Sequence, residues 1–299
     1  MGFKAGYITI LGSPNAGKST LMNRLLDFKL SIISPKPQTT RKNILGILNR
    51  DGIQIIFTDT PGMLTPRYLL QEKMVKAIQR AIKDADALTL VLDGTQISKK
   101  DELPVKDQIN MILNNTVEKK DIVVVINKID LVDKQKLLPI IGSLSKIYHF
   151  HSIIPVSART GDGVIRFLDV LKELIPEHPP YYDTEIITEH PERFLAAELI
   201  REQIFLQFQQ EIPYGAEVQI ESFYEREKGK DYIQAVIFVE RSSHKGILIG
   251  EGGAALKKIG KNARMEIEKT LSRKIYLDLH VKVSEKWRKN EHQMNKFGY

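Results

Sequence analysis

Cysteine is absent from this 299-residue chain, which excludes structural disulfides and thiolate metal sites. Long apolar runs are missing too: no stretch reaches about 18 consecutive apolar residues, so no membrane-spanning helix is expected. The first apolar run begins almost at the N-terminus, which leaves no room for a signal peptide. We therefore expect a cytoplasmic protein, long enough for two domains that each bury a core of their own.

Charge is unevenly distributed along the chain, although the net charge is only +7. Residues 179–240 contain 5 basic and 13 acidic side chains, whereas residues 241–289 contain 13 basic and 5 acidic ones. A concentrated basic segment is typical of a protein that binds a polyanion, because neutralised phosphates release counterions. A solvated charged helix face is the alternative explanation.

A glycine-rich loop follows the apolar run at residues 6–11 and precedes a helical pattern. Residues 12–19 read Gly-Ser-Pro-Asn-Ala-Gly-Lys-Ser, and this context predicts a phosphate-binding P-loop. Gly12 and Gly17 allow successive backbone N–H groups to point at one anion. Lys18 is expected to reach the β- and γ-phosphates and Ser19 to ligate Mg²⁺. A glycine-rich turn without a ligand is the alternative.

The nucleotide base is predicted from a second motif. Asn127-Lys128-Ile129-Asp130 follows the apolar run at residues 122–126, at the end of a buried strand, where open α/β sheets bind ligands. The Asp130 carboxylate can accept hydrogen bonds from the ring N–H and the exocyclic amine of guanine, a donor pair that adenine lacks. The motif therefore predicts GTP, although by itself it could be a polar turn.

Two more strand ends carry polar motifs. Asp59-Thr60-Pro61-Gly62 follows an apolar run beside the P-loop strand; Asp59 is expected to hold Mg²⁺ through water, and the Gly62 N–H to sense the γ-phosphate. Ser157-Ala158-Arg159 follows the run at residues 153–156 and is short enough to close over the base.

The order of these motifs, with the pair Thr39-Thr40 between the first two, resembles the translation-factor-like GTPases. The string Gln38-Thr39-Thr40-Arg41 with residues 44–47 narrows the resemblance to the Era group of small bacterial GTPases. This resemblance implies that Thr40 is the switch I ligand of Mg²⁺, released when the γ-phosphate leaves. Switch I corresponds to residues 30–43 and switch II to residues 59–70.

The predicted site has catalytic, nucleotide-binding and metal-binding members. Lys18, Thr40 and Gly62 are the catalytic candidates, and Ser19, Thr40 and Asp59 are the Mg²⁺ candidates. The residues expected to bind GTP or GDP are Gly12, Pro14, Asn15, Ala16, Gly17, Lys18, Ser19, Thr20, Asp59, Gly62, Asn127, Lys128, Asp130, Ser157, Ala158 and Arg159.

Met63 occupies the position where Ras-like enzymes carry the glutamine that orients the attacking water. A thioether cannot do this, and no arginine finger is recognisable, so slow intrinsic turnover is expected. Related GTPases with an asparagine at the position of Asn15 bind K⁺ there. Asn15 is therefore a candidate K⁺ ligand, with Thr39 and the backbone around Ser34 and Lys36 as further candidates. A purely local turn hydrogen bond of Asn15 is the alternative.

A second domain follows the proline-rich segment at residues 176–180. Apolar spacing predicts a helix over residues 195–208, and alternation predicts strands at 216–224 and 232–240 with a hairpin loop at 225–231. An apolar run then leads into Gly250-Glu251-Gly252-Gly253, followed by a Lys- and Arg-bearing helix and a last strand at 274–283. The order helix, strand, strand, helix, G-x-x-G loop, helix, strand resembles the type II KH domain. Its loop lets a nucleic-acid backbone approach between two helices.

The resemblance to KH domains implies single-stranded RNA as the ligand. Glu251 departs from the pattern, since KH loops often carry a basic residue there. Attraction for phosphate would then come from cations around the loop. Trp287 either stacks on a base or packs the terminal helix. The predicted RNA-binding residues are Lys245, Gly246, Ile249, Gly250, Glu251, Gly252, Gly253, Lys257, Lys258, Lys261 and Arg264.

The predicted fold is therefore an α/β P-loop GTPase domain at residues 1–178, mostly parallel with helices on both faces of its sheet. A smaller α+β type II KH domain is predicted at residues 179–299, with a linker at about 176–192. The resemblance to the Era group implies a monomer that binds the 3′ end of 16S ribosomal RNA, assists maturation of the small (30S) ribosomal subunit and makes a peripheral membrane contact. DNA is not expected as a partner.

Three alternatives remain open. The chain could be a nucleotide-gated RNA-binding module in which hydrolysis is incidental, an interpretation that Met63 favours. A P-loop kinase would leave the N-K-x-D motif unused and would need a basic lid that the sequence lacks. The second domain could also bind protein, because its acidic stretch at residues 179–240 could dock on a basic ribosomal protein.

Overall fold

The computed structural model describes residues 2–50, 52–97, 102–115 and 120–299. They form two compact units: residues 1–31, 40–65 and 74–189 belong to the first, and residues 32–39, 66–73 and 190–299 to the second. Each unit has its own sheet. No helix within the described ranges is long and apolar enough to cross a bilayer.

The first unit is built around a six-stranded sheet of order β2-β3-β1-β4-β5-β6, in which only β2 runs antiparallel. In chain order the elements are β1 (Lys4–Leu11), α1 (Lys18–Leu26), β2 (Ile44–Arg50), β3 (Ile53–Asp59), α2 (Leu69–Asp84), β4 (Ala87–Asp93), α3 (Glu102–Leu113), β5 (Asp121–Asn127), α4 (Lys134–Ile147), β6 (Ser152–Pro155) and α5 (Val164–Leu174).

The central strands are almost entirely buried because helices cover the sheet. Apolar side chains of β4 and β5 form one core cluster with residues of α2, α3 and α4, whereas α1 packs against β2 and β3. Parallel strands that are buried on both faces read as continuous apolar runs, as residues 122–126 do. The polar residues that end β3, β4 and β5 therefore lie along the same edge of the sheet as the loop that follows β1.

The segment after α5 remains attached to the first unit. The side chain of Gln54 accepts from the N–H of Tyr181 at 2.7 Å and donates to the carbonyl of Tyr182 at 2.8 Å. Further along, the N–H of Ile47 on β2 donates to the carbonyl of Ile187 at 2.7 Å. The Ile47 contact satisfies a backbone group of the edge strand β2. The first compact unit therefore extends to residue 189.

The second unit contains a three-stranded sheet of order β7-β8-β9, with β7 antiparallel and β9 parallel to the central strand. Its elements are α6 (Glu192–Gln207), α7 (Ile212–Gly215), β7 (Glu217–Tyr224), β8 (Asp231–Val239), α8 (Ser242–Ile249), α9 (Ala254–Leu271), β9 (Ile275–Val283) and α10 (Glu291–Lys296). One face of the sheet is buried against α6, α8 and α9. The predicted helix–strand–strand–helix–helix–strand order is confirmed, as is a terminal helix, α10; the short helix α7 was not predicted.

Residues 32–39, predicted as part of switch I, also belong to the second unit. The N–H of Ile33 donates to Oε1 of Glu202 on α6 at 3.0 Å. The ammonium of Lys36 donates to the carbonyls of Phe205 and Phe208 at the C-terminal end of the same helix. A cation there satisfies carbonyl groups that have no partner within the helix.

Candidate functional site

The loop between β1 and α1 has the backbone conformation that its glycines allow. Gly12 has φ 144° and Gly17 has φ 94°, and α1 begins immediately afterwards at Lys18. The ammonium of Lys18 donates to the carbonyls of Gly12 and Ser13, both at 3.0 Å. The loop therefore places a cation and the N–H groups of a helix start around one point, where an anion is stabilised.

Lys18 and Asp59 are both fully buried in this site and influence each other's ionisation. Burial lowers the pKa of Lys18 to about 8, although the negative charge of Asp59 acts to raise it. Burial likewise raises the pKa of Asp59, and the Lys18 charge counteracts that shift. Burial penalises the charged form of each group, so a partner of opposite charge stabilises that form.

The three predicted magnesium ligands lie together. The Ser19 hydroxyl donates to Oδ2 of Asp59 at 2.7 Å and is 3.0 Å from Oγ1 of Thr40. The second carboxylate oxygen of Asp59, Oδ1, is buried and makes no hydrogen bond to any described residue. An unsatisfied carboxylate oxygen beside two hydroxyls is a set of hard oxygen donors, which fits Mg²⁺.

The D-T-P-G segment lies against the P-loop. The buried Thr60 hydroxyl donates to the carbonyl of Ile10 on β1 at 2.7 Å, and the N–H of Met63 donates to the carbonyl of Gly12 at 3.0 Å. A Cβ atom on Gly62 would lie 2.8 Å from Cα of Pro14. Only glycine therefore fits at this position without moving the P-loop, and the Met63 side chain is buried in the core.

At the other end of the site, Asn127 and Ser157 organise the predicted base-binding loops. The Asn127 amide donates to the carbonyl of Ala16 at 2.8 Å and accepts from the N–H of Ala158 at 3.0 Å. The Ser157 hydroxyl donates to Oδ1 of Asp130 at 2.7 Å. Asn127 and Ser157 are buried and Asp130 is exposed, so two buried polar groups hold an accessible carboxylate.

Two supporting residues were missed by sequence reasoning. Asp93, which ends β4 opposite Asn127, pairs with the ammonium of Lys128 at 2.6 Å. Partial burial opposes ionisation of Asp93, but hydrogen bonds from Lys128 and Thr95 lower its pKa. Arg24 on α1 donates to the carbonyls of Ala158 and Arg159. The position of Asp93 at a strand end, like Asp59, was the available signal; nothing local marks Arg24.

In the second unit, the G-x-x-G loop joins α8 to α9 through a tight turn. Gly250, Gly252 and Gly253 all have positive φ, and a Cβ atom on Gly250 would lie 2.7 Å from that of Ala255. By contrast, a Cβ on Gly252 or Gly253 would meet nothing within 4 Å. The outer side of the loop is therefore open to the approach of another backbone.

The cleft beside the G-x-x-G loop has a volume of about 510 Å³ and lies between α9 and β9. Another cleft, of about 650 Å³, lies in the first unit between α4 and the loop that follows β4. Of the predicted RNA-binding residues, Gly253, Lys257, Lys261 and Arg264 line the cleft beside the G-x-x-G loop. Lys245, Gly246, Ile249 and Lys258 lie on α8 and α9 outside its lining, and Glu251 is exposed in the loop. The complete lining is Gly253, Leu256, Lys257, Gly260, Lys261, Arg264, Tyr276, Leu277 and Leu279.

Trp287 does not reach this cleft surface. Its side chain is fully buried, its indole N–H donates to the carbonyl of Gly215 at 2.9 Å, and its ring contacts those of Phe297 and Tyr299. Of the two alternatives for this residue, packing of the C-terminal segment is confirmed.

The two units together have the architecture of a P-loop GTPase joined to a KH domain. Comparison with family models supports both halves, because the 50S ribosome-binding GTPase family matches residues 7–128 and the KH domain family matches residues 211–288. The chain belongs to the Era family of GTPases, as its full-length relatives show. GTPase Era of Geotalea daltonii is 43% identical and GTPase Era of Geotalea uraniireducens 45%, each match covering 99% of this chain and 98% of the relative.

Two solved structures of Era proteins superpose on this chain over nearly its full length. A single-residue variant of Era from Aquifex aeolicus, bound to GDP and AlF₄⁻, superposes with a TM-score of 0.92 at 37% identity, covering 99% of both chains. An Era complex with MgGDPNP and nucleotides 1506–1542 of 16S ribosomal RNA superposes with a TM-score of 0.93 at 36% identity and the same coverage. The predicted fold class and GTPase activity are thereby confirmed.

Proposed function

We propose that this GTPase binds the 3′ end of 16S ribosomal RNA through its KH domain and assists assembly of the small ribosomal subunit under control of the bound nucleotide. The observation that carries the proposal is the cleft between α9 and β9, whose wall holds three exposed cations next to an open G-x-x-G loop. The related Era complex with nucleotides 1506–1542 of that RNA supports it.

In the nucleotide site we assign binding of the phosphate groups to the P-loop. Lys18 binds the β- and γ-phosphates, and the phosphate charge stabilises its ammonium against burial. Ser19, Thr40 and Asp59 hold Mg²⁺, Asp59 through water. An ion held there would neutralise the negative charge that develops on GDP as the leaving group.

Hydrolysis rests mainly on positioning. Gly62 donates its N–H to the γ-phosphate. Thr40 ties the conformation of switch I to the γ-phosphate, because it ligates Mg²⁺ only while that phosphate is bound. The buried thioether of Met63 cannot orient water, so slow intrinsic turnover is proposed. Asn15, exposed with φ 62°, remains the candidate K⁺ ligand. If replacement of K⁺ by Na⁺ leaves the hydrolysis rate unchanged, this role of Asn15 is wrong.

In the KH domain, the cations position the RNA backbone and the cleft holds the bases. Lys257, Lys261 and Arg264 face the cleft, and Lys245 and Lys258 extend the positive surface on α8 and α9. Because Glu251 repels phosphate, the loop contributes close backbone approach rather than charge. The membrane contact that the family resemblance implies has no support from a particular surface and stays a prediction.

The test compares a short single-stranded RNA matching the 3′ end of 16S ribosomal RNA with a scrambled RNA of equal length. Affinities are measured at fixed salt with GDP and with a nonhydrolysable GTP analogue. We expect the matched RNA to bind more tightly, with the preference increased by the GTP analogue, since a switch requires different RNA affinities in its nucleotide states. Equal, salt-sensitive binding of both RNAs in both states would overturn the assembly role.

Incidental hydrolysis remains the alternative. If hydrolysis is part of a switch, the matched RNA must change either the GTP hydrolysis rate or the relative affinity for GTP and GDP. A rate and nucleotide preference unaffected by saturating RNA would favour a passive RNA-binding module.

A further inference from the structure

Three tyrosines form a row across the outer face of the three-stranded sheet. Tyr224 on β7 lies directly opposite Tyr232 on β8, which lies directly opposite Tyr276 on β9. The ring centroids are 6.2 Å and 5.9 Å apart, with interplanar angles of 22° and 11°. The row therefore spans all three strands, with its rings nearly parallel.

The two ends of this tyrosine row are open to solvent. Tyr224 is 60% exposed and Tyr276 is 57% exposed. The far end of the same face differs, because Phe238 on β8 packs against Phe297 of the C-terminal segment, with ring centroids 5.0 Å apart. The C-terminal segment thus covers one end of the outer face, and the tyrosine row occupies the other.

Tyr276 connects the row to the RNA cleft. It lines the cleft between α9 and β9 together with Lys257, Lys261 and Arg264, and it also stacks with Tyr232. Strands in a sheet lie about 4.8 Å apart, so Tyr224 is about 10 Å from the cleft edge. A chain leaving the cleft at Tyr276 would reach Tyr224 within a few nucleotides.

The outer face beside the row carries paired rather than concentrated charge. Lys282 pairs with Glu221 at 2.8 Å, and His280 contacts Asp278 at 3.1 Å. The Tyr232 hydroxyl donates to the same Asp278 carboxylate at 3.2 Å. Phosphate attraction is therefore weak here, and the chemistry that the row offers is an aromatic face.

We propose that the tyrosine row is a base-stacking surface that extends the RNA path beyond the KH cleft. Aromatic side chains stack on nucleobases without reading sequence, since every base has a π-face. A KH cleft clamps about four nucleotides, so this surface takes the bases that leave the cleft past Tyr276. The inference rests on the proposed RNA-binding function and adds a second RNA contact to it.

The test uses the full-length protein with the nonhydrolysable GTP analogue and two matched RNAs of about four and about ten nucleotides. The shorter fills the cleft, whereas the longer reaches Tyr224. We expect Tyr224→Ala to weaken binding of the longer RNA at least about fivefold and to leave the shorter unchanged. Tyr224→Phe keeps the aromatic face and should bind both RNAs like the wild type.

Salt dependence separates stacking from phosphate contact. Tyr224→Ala should leave the slope of log affinity against log salt unchanged. The comparison variant Lys261→Ala should weaken binding of both RNAs. It should also make the slope of log affinity against log salt shallower by about 0.7, as expected for the loss of one phosphate contact to a single strand.

Tyrosine nitration of the wild-type protein supplies a measurement that needs no variant. The longer RNA should slow nitration of Tyr224 and Tyr276, and the shorter that of Tyr276 alone. Tyr181 of the first unit, 42% exposed, should react at an unchanged rate in both cases.

Two results would show that the tyrosine row only stabilises the sheet. One is nitration of Tyr224 at the same rate with and without the longer RNA, and the other is an equal loss of affinity for both RNAs in Tyr224→Ala. If the wild type binds matched and scrambled RNA equally, the proposed function itself fails. If it prefers the matched RNA and Tyr224 has no effect, only the stacking surface is wrong.

Discussion

The side-chain amide of Asn127 lies directly against Gly17: a Cβ atom on Gly17 would come within 2.1 Å of Nδ2 of Asn127. Asn127 uses this close approach to donate to the carbonyl of Ala16 at 2.8 Å, and its Oδ1 accepts from the N–H of Ala158 at 3.0 Å. One buried side chain therefore joins the phosphate-binding loop to the two loops assigned to the base.

Replacement of this amide should damage the nucleotide site. Asn127→Ala leaves the Ala16 carbonyl and the Ala158 N–H without partners, and each unsatisfied buried group costs about 1–3 kcal/mol. We expect at least about a tenfold loss of affinity for both GTP and GDP, measured by titration with a fluorescent guanine nucleotide. Asn115→Ala removes a comparable hydrogen bond, to Met111 at the end of α3, and should leave affinity unchanged. Unaltered affinity in Asn127→Ala would show that the loops keep their positions without it.

The base assignment predicts a change of specificity in Asp130→Asn. The amide of the variant would place an N–H donor opposite the N–H donors of guanine, so a hydrogen bond is lost. Xanthine carries a carbonyl in place of the exocyclic amine, and this carbonyl can accept a hydrogen bond from the amide. We expect GTP affinity to fall at least about a hundredfold and xanthosine nucleotides to bind better than guanosine nucleotides, measured by competition.

Ser157→Ala is the matched control for that experiment, because it removes the hydroxyl that donates to Asp130 but keeps the carboxylate. It should weaken binding and retain the preference for guanine. A guanine preference retained by Asp130→Asn would mean that another group reads the base.

Nucleotide binding should become proton-linked in mildly alkaline solution. Burial lowers the pKa of Lys18 to about 8, and bound phosphates favour its charged form and raise that pKa again. Below about pH 7 the free protein already holds the proton, so binding takes up none. Above about pH 8, binding takes up a proton and affinity falls as pH rises.

Calorimetric titration in two buffers of different ionisation enthalpy measures this uptake directly. In a Lys18→Arg variant the side chain stays charged over this pH range. Proton uptake by that variant therefore measures the contribution of the guanine base. Equal proton uptake in the two proteins would exclude Lys18 as the titrating group.

Reversal of the charge at Glu251 should strengthen RNA binding. The side chain is exposed within the G-x-x-G loop, where a carboxylate repels phosphate. Glu251→Lys should raise affinity for the matched RNA severalfold and steepen its dependence on log salt by about 0.7. Glu173→Lys changes the net charge equally from a site on α5 in the first unit and should have little effect. Identical results for the two variants would place the RNA away from the loop.

Removal of the Trp287 side chain should destabilise the second unit without affecting nucleotide binding. The ring is fully buried between Phe297 and Tyr299, and its N–H satisfies the carbonyl of Gly215. Trp287→Ala should lower the free energy of unfolding by about 3–5 kcal/mol, measured by circular dichroism during denaturation. GDP affinity well below the transition should match that of the wild type. A stable variant with weakened RNA binding would instead indicate a ligand contact.

The amino-acid sequence by itself determined the local parts of this protein. Apolar runs at residues 122–126, and the glycines and lysine of residues 12–18, specify a buried strand and a phosphate-binding turn through backbone geometry alone. Side-chain alternation likewise predicted β7 and β8 to within a residue. These features depend on neighbours in the chain, so periodicity and motif spacing are sufficient to find them.

Tertiary structure alone decided which distant groups meet. The pairing of Lys128 with Asp93, the burial of Trp287 and the alignment of three tyrosines across β7, β8 and β9 depend on strand register and on the path of the C-terminal segment. No local pattern encodes such contacts, because they arise when separate elements pack together to bury apolar surface.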